Sequence, residues 1–275
     1  MGNNIGVMQG RLVPKYKGRY QAHPVDYWKE EFYVAKDIEL NYIEFILDFN
    51  DLDKNPLVYE GGIKEILAVS DETGLKVKTI CADYFMKAPF HSIDESVSKN
   101  SLAVLHQLIN TAKELCVTDV VIPCVDQSSL ADDAAVERFV EIITPLLSKI
   151  ESNKINLSLE TDLDPLAFTN LLKRFDSSRI TVNYDIGNSA ALGYDPIEEL
   201  DAYGDKISDI HIKDRMLSAG PVVLGKGNAN FGRFFDKLKE FDYQGPFIMQ
   251  AYRDDEGVAV FKKQLEWIKP YLEKL

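Results

Sequence analysis

The chain has 275 residues, 45% of them hydrophobic and 27% charged, with a formal net charge of −13. Such a balance belongs to a folded globular chain rather than a disordered one. So acidic a protein repels phosphate backbones and anionic headgroups, which argues against broad nucleic-acid or membrane-surface binding.

Short β-rich runs alternate with longer amphipathic segments along the whole chain. The first strand is expected at 5–9, followed by a long connection and a helix over 26–39. A strand at 42–46, a second long connection, a helix over 61–73 and a strand at 76–82 come next. The clearest helix covers 94–115, where Leu102, Leu105, Leu108, Ile109, Ala112 and Leu115 repeat at helical spacing. Strands at 119–124, 155–160, 180–185, 207–213 and 246–251 then alternate with helices over 132–149, 164–175, 195–203, 231–241 and 258–272. Asp164-Pro165 and Asp195-Pro196 read as N-cap and N1 pairs, and Gly74 as a helix C-terminus.

Eight strand–helix alternations, about 34 residues each, imply parallel pairing and a single-domain α/β fold, the closed (β/α)8 TIM barrel, over 1–275. A doubly wound open sheet would carry a Gly-rich phosphate loop after its first strand; Gly10-Arg11-Leu12-Val13-Pro14 is no such loop. Connections 10–25 and 47–60 fall where barrel active-site loops lie.

Strands buried on both faces should be apolar on both, and four of these are not. Asn156, Ser158 and Glu160 share one parity; so do Thr181, Asn183 and Asp185; so do Asp209, His211 and Lys213; and Ile248 shares its parity with Gln250. Side chains alternate across a strand, so each set faces one way, toward the barrel interior. Glu160, Asp185, His211 and Gln250 then project from four neighbouring strands into one space. Two carboxylates there call for a cation. The oxygen and nitrogen donors suit one divalent ion, Mn²⁺, Mg²⁺, Co²⁺, Fe²⁺ or Zn²⁺.

Basic residues gather at the same rim: Arg11, Lys213, Arg215, Lys226 and Arg253. In so acidic a chain they are expected to bind an anionic substrate. The competing expectation is that Lys213 and Arg215 pair with Asp209 and Asp214. Glu44 and Asp83 are either support for the site or local salt-bridge partners, with Glu44 a candidate for substrate contact and Asp83 for proton transfer. His91 is expected at the surface, and His23 and His106 as structural or solvated. Cys81, Cys116 and Cys124 show no CxxC spacing and are expected to be buried free thiols. The N-terminus lacks a signal-peptide pattern, Gly2 lacks a myristoylation context, and no run of about 18 apolar residues exists, so a cytoplasmic protein is expected.

The segments Leu157-Ser158-Leu159-Glu160, Tyr184-Asp185-Ile186-Gly187-Asn188 and Ile210-His211-Ile212-Lys213-Asp214 resemble the xylose-isomerase-like superfamily of barrels, in its sugar-phosphate isomerase/epimerase branch. Leu224-Gly225-Lys226-Gly227 and Gly245-Pro246-Phe247-Ile248 support the resemblance. It implies that Glu160, Asp185 and His211 are three of four metal ligands, the fourth normally being a glutamate where this chain has Gln250. It further implies a metal-dependent isomerase or epimerase of a small sugar or sugar phosphate, working through a metal-stabilised enediolate with Glu160 as base. In that family two glutamates form the acid–base pair, and Gln250 cannot carry a proton, so a reaction that one base can serve, aldose–ketose isomerisation or β-elimination, is expected rather than two-base epimerisation; a second acid for the opposite face would have to be Asp83, Glu44 or Lys213. The alternatives are a sugar dehydratase or lyase on the same scaffold and a catalytically degenerate sugar-binding barrel. A homo-oligomer is compatible with all of these.

Overall fold

The computed structural model describes residues 4–275; Gly2, read above for acylation, lies outside them. Eight parallel strands close into a barrel. They are β1 (Ile5–Met8), β2 (Tyr42–Ile46), β3 (Lys76–Cys81), β4 (Asp119–Cys124), β5 (Asn156–Thr161), β6 (Ile180–Asp185), β7 (Ile207–Ile212) and β10 (Phe247–Met249). β10 pairs with both β7 and β1, which closes the ring. A two-stranded antiparallel hairpin, β8 (Asp214–Arg215) with β9 (Pro221–Val222), sits on the loop after β7.

Helices α1 (Trp28–Asp37), α2 (Gly62–Thr73), α4 (Glu95–Glu114), α5 (Asp133–Ile143), α6 (Leu147–Asn153), α7 (Pro165–Leu172), α9 (Pro196–Tyr203), α10 (Phe231–Leu238) and α11 (Val258–Leu272) fill the connections between strands. Their starts follow from capping chemistry. The carboxylates of Asp94, Asp132, Asp164 and Asp195 each accept first-turn backbone N–H groups of α4, α5, α7 and α9. Gly74 closes α2 with φ of 80°, a conformation that a side chain resists.

The expected helix 132–149 is interrupted. Pro145 has no N–H to give, and a 3-10 turn over Thr144–Leu146 separates α5 from α6. Two short helices at the mouth, α3 (Tyr84–Lys87) and α8 (Ile186–Leu192), were not anticipated; α8 starts because the Asp185 carboxylate caps the N–H of Asn188.

The alternating parity resolves into two cores. Leu157, Leu159, Val182, Tyr184, Ile210, Ile212 and Met249 pack outward against the helices. Met8, Ile46, Cys81, Val121 and Ile248 form a small separate plug, and the polar parity continues above and below it. Two sequence expectations are corrected. His91 is buried, its ring against Phe90 and Phe139 at centroid distances of 5.8 and 5.7 Å. Cys116 is exposed, because its left-handed turn (φ 57°) between α4 and β4 directs the side chain to solvent. Among the described residues no helix is long and apolar enough to cross a membrane.

Candidate metal centre and active site

Glu160 on β5, Asp185 at the end of β6 and His211 on β7 each offer a ligand atom, and the three atoms lie within 4.8 Å of one another. All three residues are buried. A bulge sets their alignment. Val182 faces Ile207 but Asn183 faces Asp209, so Ser208 is an extra residue and Asp185 comes opposite His211. The bulged Ser208 hydroxyl donates to Thr181 Oγ1 at 2.7 Å.

The two ring nitrogens of His211 face different carboxylates. Nδ1 is 3.9 Å from Asp185 Oδ2; Nε2 is 3.0 Å from Glu44 Oε1 and 3.7 Å from Asp209 Oδ2. Glu44 Oε2 accepts from Thr79 at 2.8 Å, and Asp209 Oδ2 from Asn183 at 3.2 Å. Burial pulls the imidazole pKa down, but Glu44, Asp209 and Glu160 outweigh it and raise it to about 10. Burial, reinforced by Asp185, pushes Glu160 up to about 7.

Asn188 ties these groups together. Its N–H donates to Asp185 Oδ1 at 2.8 Å, its side-chain amide donates to Glu160 Oε1, and its carbonyl accepts from Arg215 at 2.8 Å. Lys213 Nζ donates to Asp185 Oδ2 at 3.2 Å. Gly187 is needed for this approach, since a Cβ there would lie 2.7 Å from Lys213 Cγ. Gln250 follows β10, and its Nε2 donates to Gln21 Oε1 at 3.2 Å.

The donor set fits a divalent ion. Two carboxylates and an imidazole converge, while His211 Nδ1 and Gln250 Oε1 are buried without hydrogen-bond partners. Such orphaned atoms are costly unless something binds them. Hard oxygen and nitrogen donors without a thiolate suit Mn²⁺, Mg²⁺, Co²⁺, Fe²⁺ or Zn²⁺.

The family model described as xylose isomerase-like TIM barrel matches residues 32–271. The chain belongs to that family. It is 24% identical over 265 residues to the putative L-ribulose-5-phosphate 3-epimerase SgbU of Escherichia coli K12, covering 90% of this chain and 92% of that protein. It is 24% identical over 259 residues to the L-ribulose-5-phosphate 3-epimerase UlaE of Salmonella typhi, covering 90% of each. Among solved structures, a xylose isomerase domain protein from Planctomyces limnophilus superposes with a TM-score of 0.77 at 15% identity, over 99% of this chain and 97% of the other. An L-ribulose 3-epimerase superposes with a TM-score of 0.75 at 18% identity, over 99% and 95%. These structural likenesses are likenesses of fold.

In this xylose isomerase-like barrel the mouth is a cavity of about 780 Å³, and Asp83, Glu160, Lys213, Arg215 and Gln250 are on its wall. The other expected substrate contacts lie elsewhere. Glu44 is fully buried beneath His211. Arg11, 1% exposed, donates to the Tyr20 carbonyl at 3.0 Å and to Gln21 Oε1 at 2.8 Å. Arg253 is spent on the carbonyls of Gly10, Val13, Asp254 and Asp255. Lys226 is exposed on the loop after β9. The pairing expected for Lys213 and Arg215 is also different. Lys213 takes Asp185, and Arg215 takes Asn188 and the Ala219 carbonyl. Asp214 is occupied by the N–H groups of Gly225, Gly227 and Ala229.

Sequence reasoning missed Gln21, Asn188 as a bridge, and the Arg19–Asp48 ion pair at 2.6 Å on the cavity wall. Gln21 and Arg19 belong to the connection 10–25, which its length alone had marked.

Proposed function

We propose that the protein is a divalent-metal-dependent epimerase or isomerase of a small ketose or ketose phosphate. The observation that carries this reading is the convergence of Glu160, Asp185 and His211 within 4.8 Å, with Glu160 itself on the wall of a cavity of about 780 Å³, roomy enough for a sugar. Kinship to proteins named as L-ribulose-5-phosphate 3-epimerases supports it.

Glu160, Asp185, His211 and Gln250 would hold the ion, which when bound would supply Lewis-acid polarisation of the substrate carbonyl. Glu160, its pKa raised to about 7 by burial and then by Asp185, takes the proton from the adjacent carbon. Asn188 steadies that carboxylate, and Lys213 and Asn188 hold Asp185. Gln250 cannot return a proton. Asp83, whose carboxyl burial raises and whose oxygens accept from Gln21 and Cys81, is the acid on the cavity wall assigned to that step. Arg215 is assigned to an anionic substituent of the substrate, because its carbonyl contacts leave its charge unneutralised.

The test is turnover of ketopentoses, ketohexoses and their phosphates by the purified chain, with Mn²⁺ and after EDTA. Epimerised or isomerised product is expected only with metal. Mn²⁺ uptake without turnover of any ketose or phosphate would overturn the proposal.

A further inference from the structure

Gln21 stands between a residue that can only donate and a carboxyl group. Arg11 Nη2 donates to Gln21 Oε1 at 2.8 Å, and Gln21 Nε2 donates to Asp83 Oδ2 at 2.7 Å. A guanidinium has no acceptor, so the Gln21 atom against it must be the carbonyl oxygen. That same oxygen receives Gln250 Nε2 at 3.2 Å. The amino end of Gln250 is therefore fixed on Gln21, and its carbonyl oxygen takes the other side. The oxygen is buried and unpartnered, in a residue 3% exposed on the wall shared with Glu160. Turning the Gln21 amide over would set its amino group against Arg11, donor against donor.

Arg11 is itself immobilised. Its guanidinium lies 4.9 Å from the Tyr20 ring and bonds the Tyr20 carbonyl. The loop that bears it is pinned by Glu31, which accepts the N–H of Gly10 at 2.6 Å and of Leu12 at 2.8 Å.

We propose that Arg11 and Gln21 are positioning residues that orient the Gln250 amide, so that its oxygen and not its nitrogen is offered to the ion. A carboxylate at this place needs no such device, because both its atoms are acceptors. An amide does, since its NH₂ end repels a cation. The inference rests on the metal-centre reading above.

The experiment is calorimetric titration of the EDTA-stripped full chain with Mn²⁺, for the wild type, Gln21→Met, Gln250→Ala and the double variant. Loss of a group that orients a ligand costs about 10-fold in metal affinity, so the dissociation constant should rise about that much for Gln21→Met. The double variant should bind no more weakly than Gln250→Ala alone. Gln21→Glu combined with Asp83→Asn, which keeps an acceptor for both Arg11 and Gln250 and gives the lost donor back on the Asp83 side, should not weaken binding, and it serves if Gln21→Met fails to fold. An unchanged constant for Gln21→Met, the same fold loss in the Gln250→Ala background, or weakened binding by the folded Gln21→Glu/Asp83→Asn variant would overturn the inference alone. A folded wild type that takes up neither Mn²⁺ nor Co²⁺ would overturn the metal centre itself, and this inference with it.

Discussion

His211 Nε2 stands 3.0 Å from Glu44 Oε1, and neither side chain has any exposed surface. The pair lies beneath the candidate metal centre and leaves Nδ1 on the side of Asp185. The contact is an ion pair by distance, and a carboxylate beside the second ring nitrogen favours one orientation of a metal-binding imidazole. Removing one partner of a buried ion pair strands the other, at about 3–5 kcal/mol. Glu44→Ala should therefore lower the stability of the metal-free chain by that order, read from urea unfolding. An unchanged unfolding midpoint would show that Glu44 does not hold the imidazole.

Stripping the metal should lower the melting temperature, and Mn²⁺ should restore it. The ion binds the assembled cluster and not the unfolded chain, so about 100-fold excess over its dissociation constant adds about 2.7 kcal/mol. Differential scanning calorimetry with and without EDTA checks this. Identical melting curves would contradict the centre.

His23 makes the fold acid-sensitive. Burial lowers its pKa from 6.5 to about 4, against the opposing pull of Asp48, and its Nδ1 lies 2.9 Å from Gln9 Oε1. The unfolded chain takes up this proton before the folded one. The stability that His23 contributes is thus complete above its unfolded pKa and is lost as pH falls through about 4. At about pH 5 the loss is of the order of 2 kcal/mol. His23→Gln should unfold with a shallower dependence on pH between about pH 7 and pH 5. A slope equal to the wild type's would place the acid sensitivity elsewhere.

The barrel was legible because periodicity reports burial: the helices repeat apolar residues at about 3.6, and β5, β6 and β7 alternate with a period of about 2, while β4 reads as a continuous apolar run. The inward set was legible for the same reason, since Asn183 and Asp185 alternate with Val182 and Tyr184. What periodicity does not report is where a long side chain ends. Arg11 and Arg253 leave strand ends as a substrate contact would, yet their guanidiniums bend back onto backbone carbonyls and Gln21. The bulge at Ser208 was likewise invisible, although it aligns Asp185 with His211.

Glu160→Gln should leave metal binding measurable and remove proton transfer. The amide keeps a single oxygen for the ion, so binding weakens, and it cannot accept the substrate's proton. A positioned base contributes about 10²–10⁴-fold, and deuterium exchange into substrate in D₂O should fall by that factor. Exchange at the wild-type rate would assign the base to another residue.

Gln250→Glu tests the site from the other side. A third carboxylate raises the ligand charge, which alone would tighten metal binding. At this position, however, it also places an acceptor where Gln250 Nε2 now donates, 3.2 Å from Gln21 Oε1. Gln21 cannot relieve the repulsion by turning, because its amino group would then face Arg11. The gain in affinity should therefore be only partly realised in the single variant. Adding Gln21→Met removes the opposed oxygen and should release the rest. The same substitution is thus expected to weaken Mn²⁺ binding beside Gln250 and to strengthen it beside a glutamate. Calorimetric titration of the four proteins reads both signs directly. If Gln21→Met changes the dissociation constant in the same direction in both backgrounds, the polarity of the Arg11–Gln21–Gln250 chain is not what governs the fourth ligand.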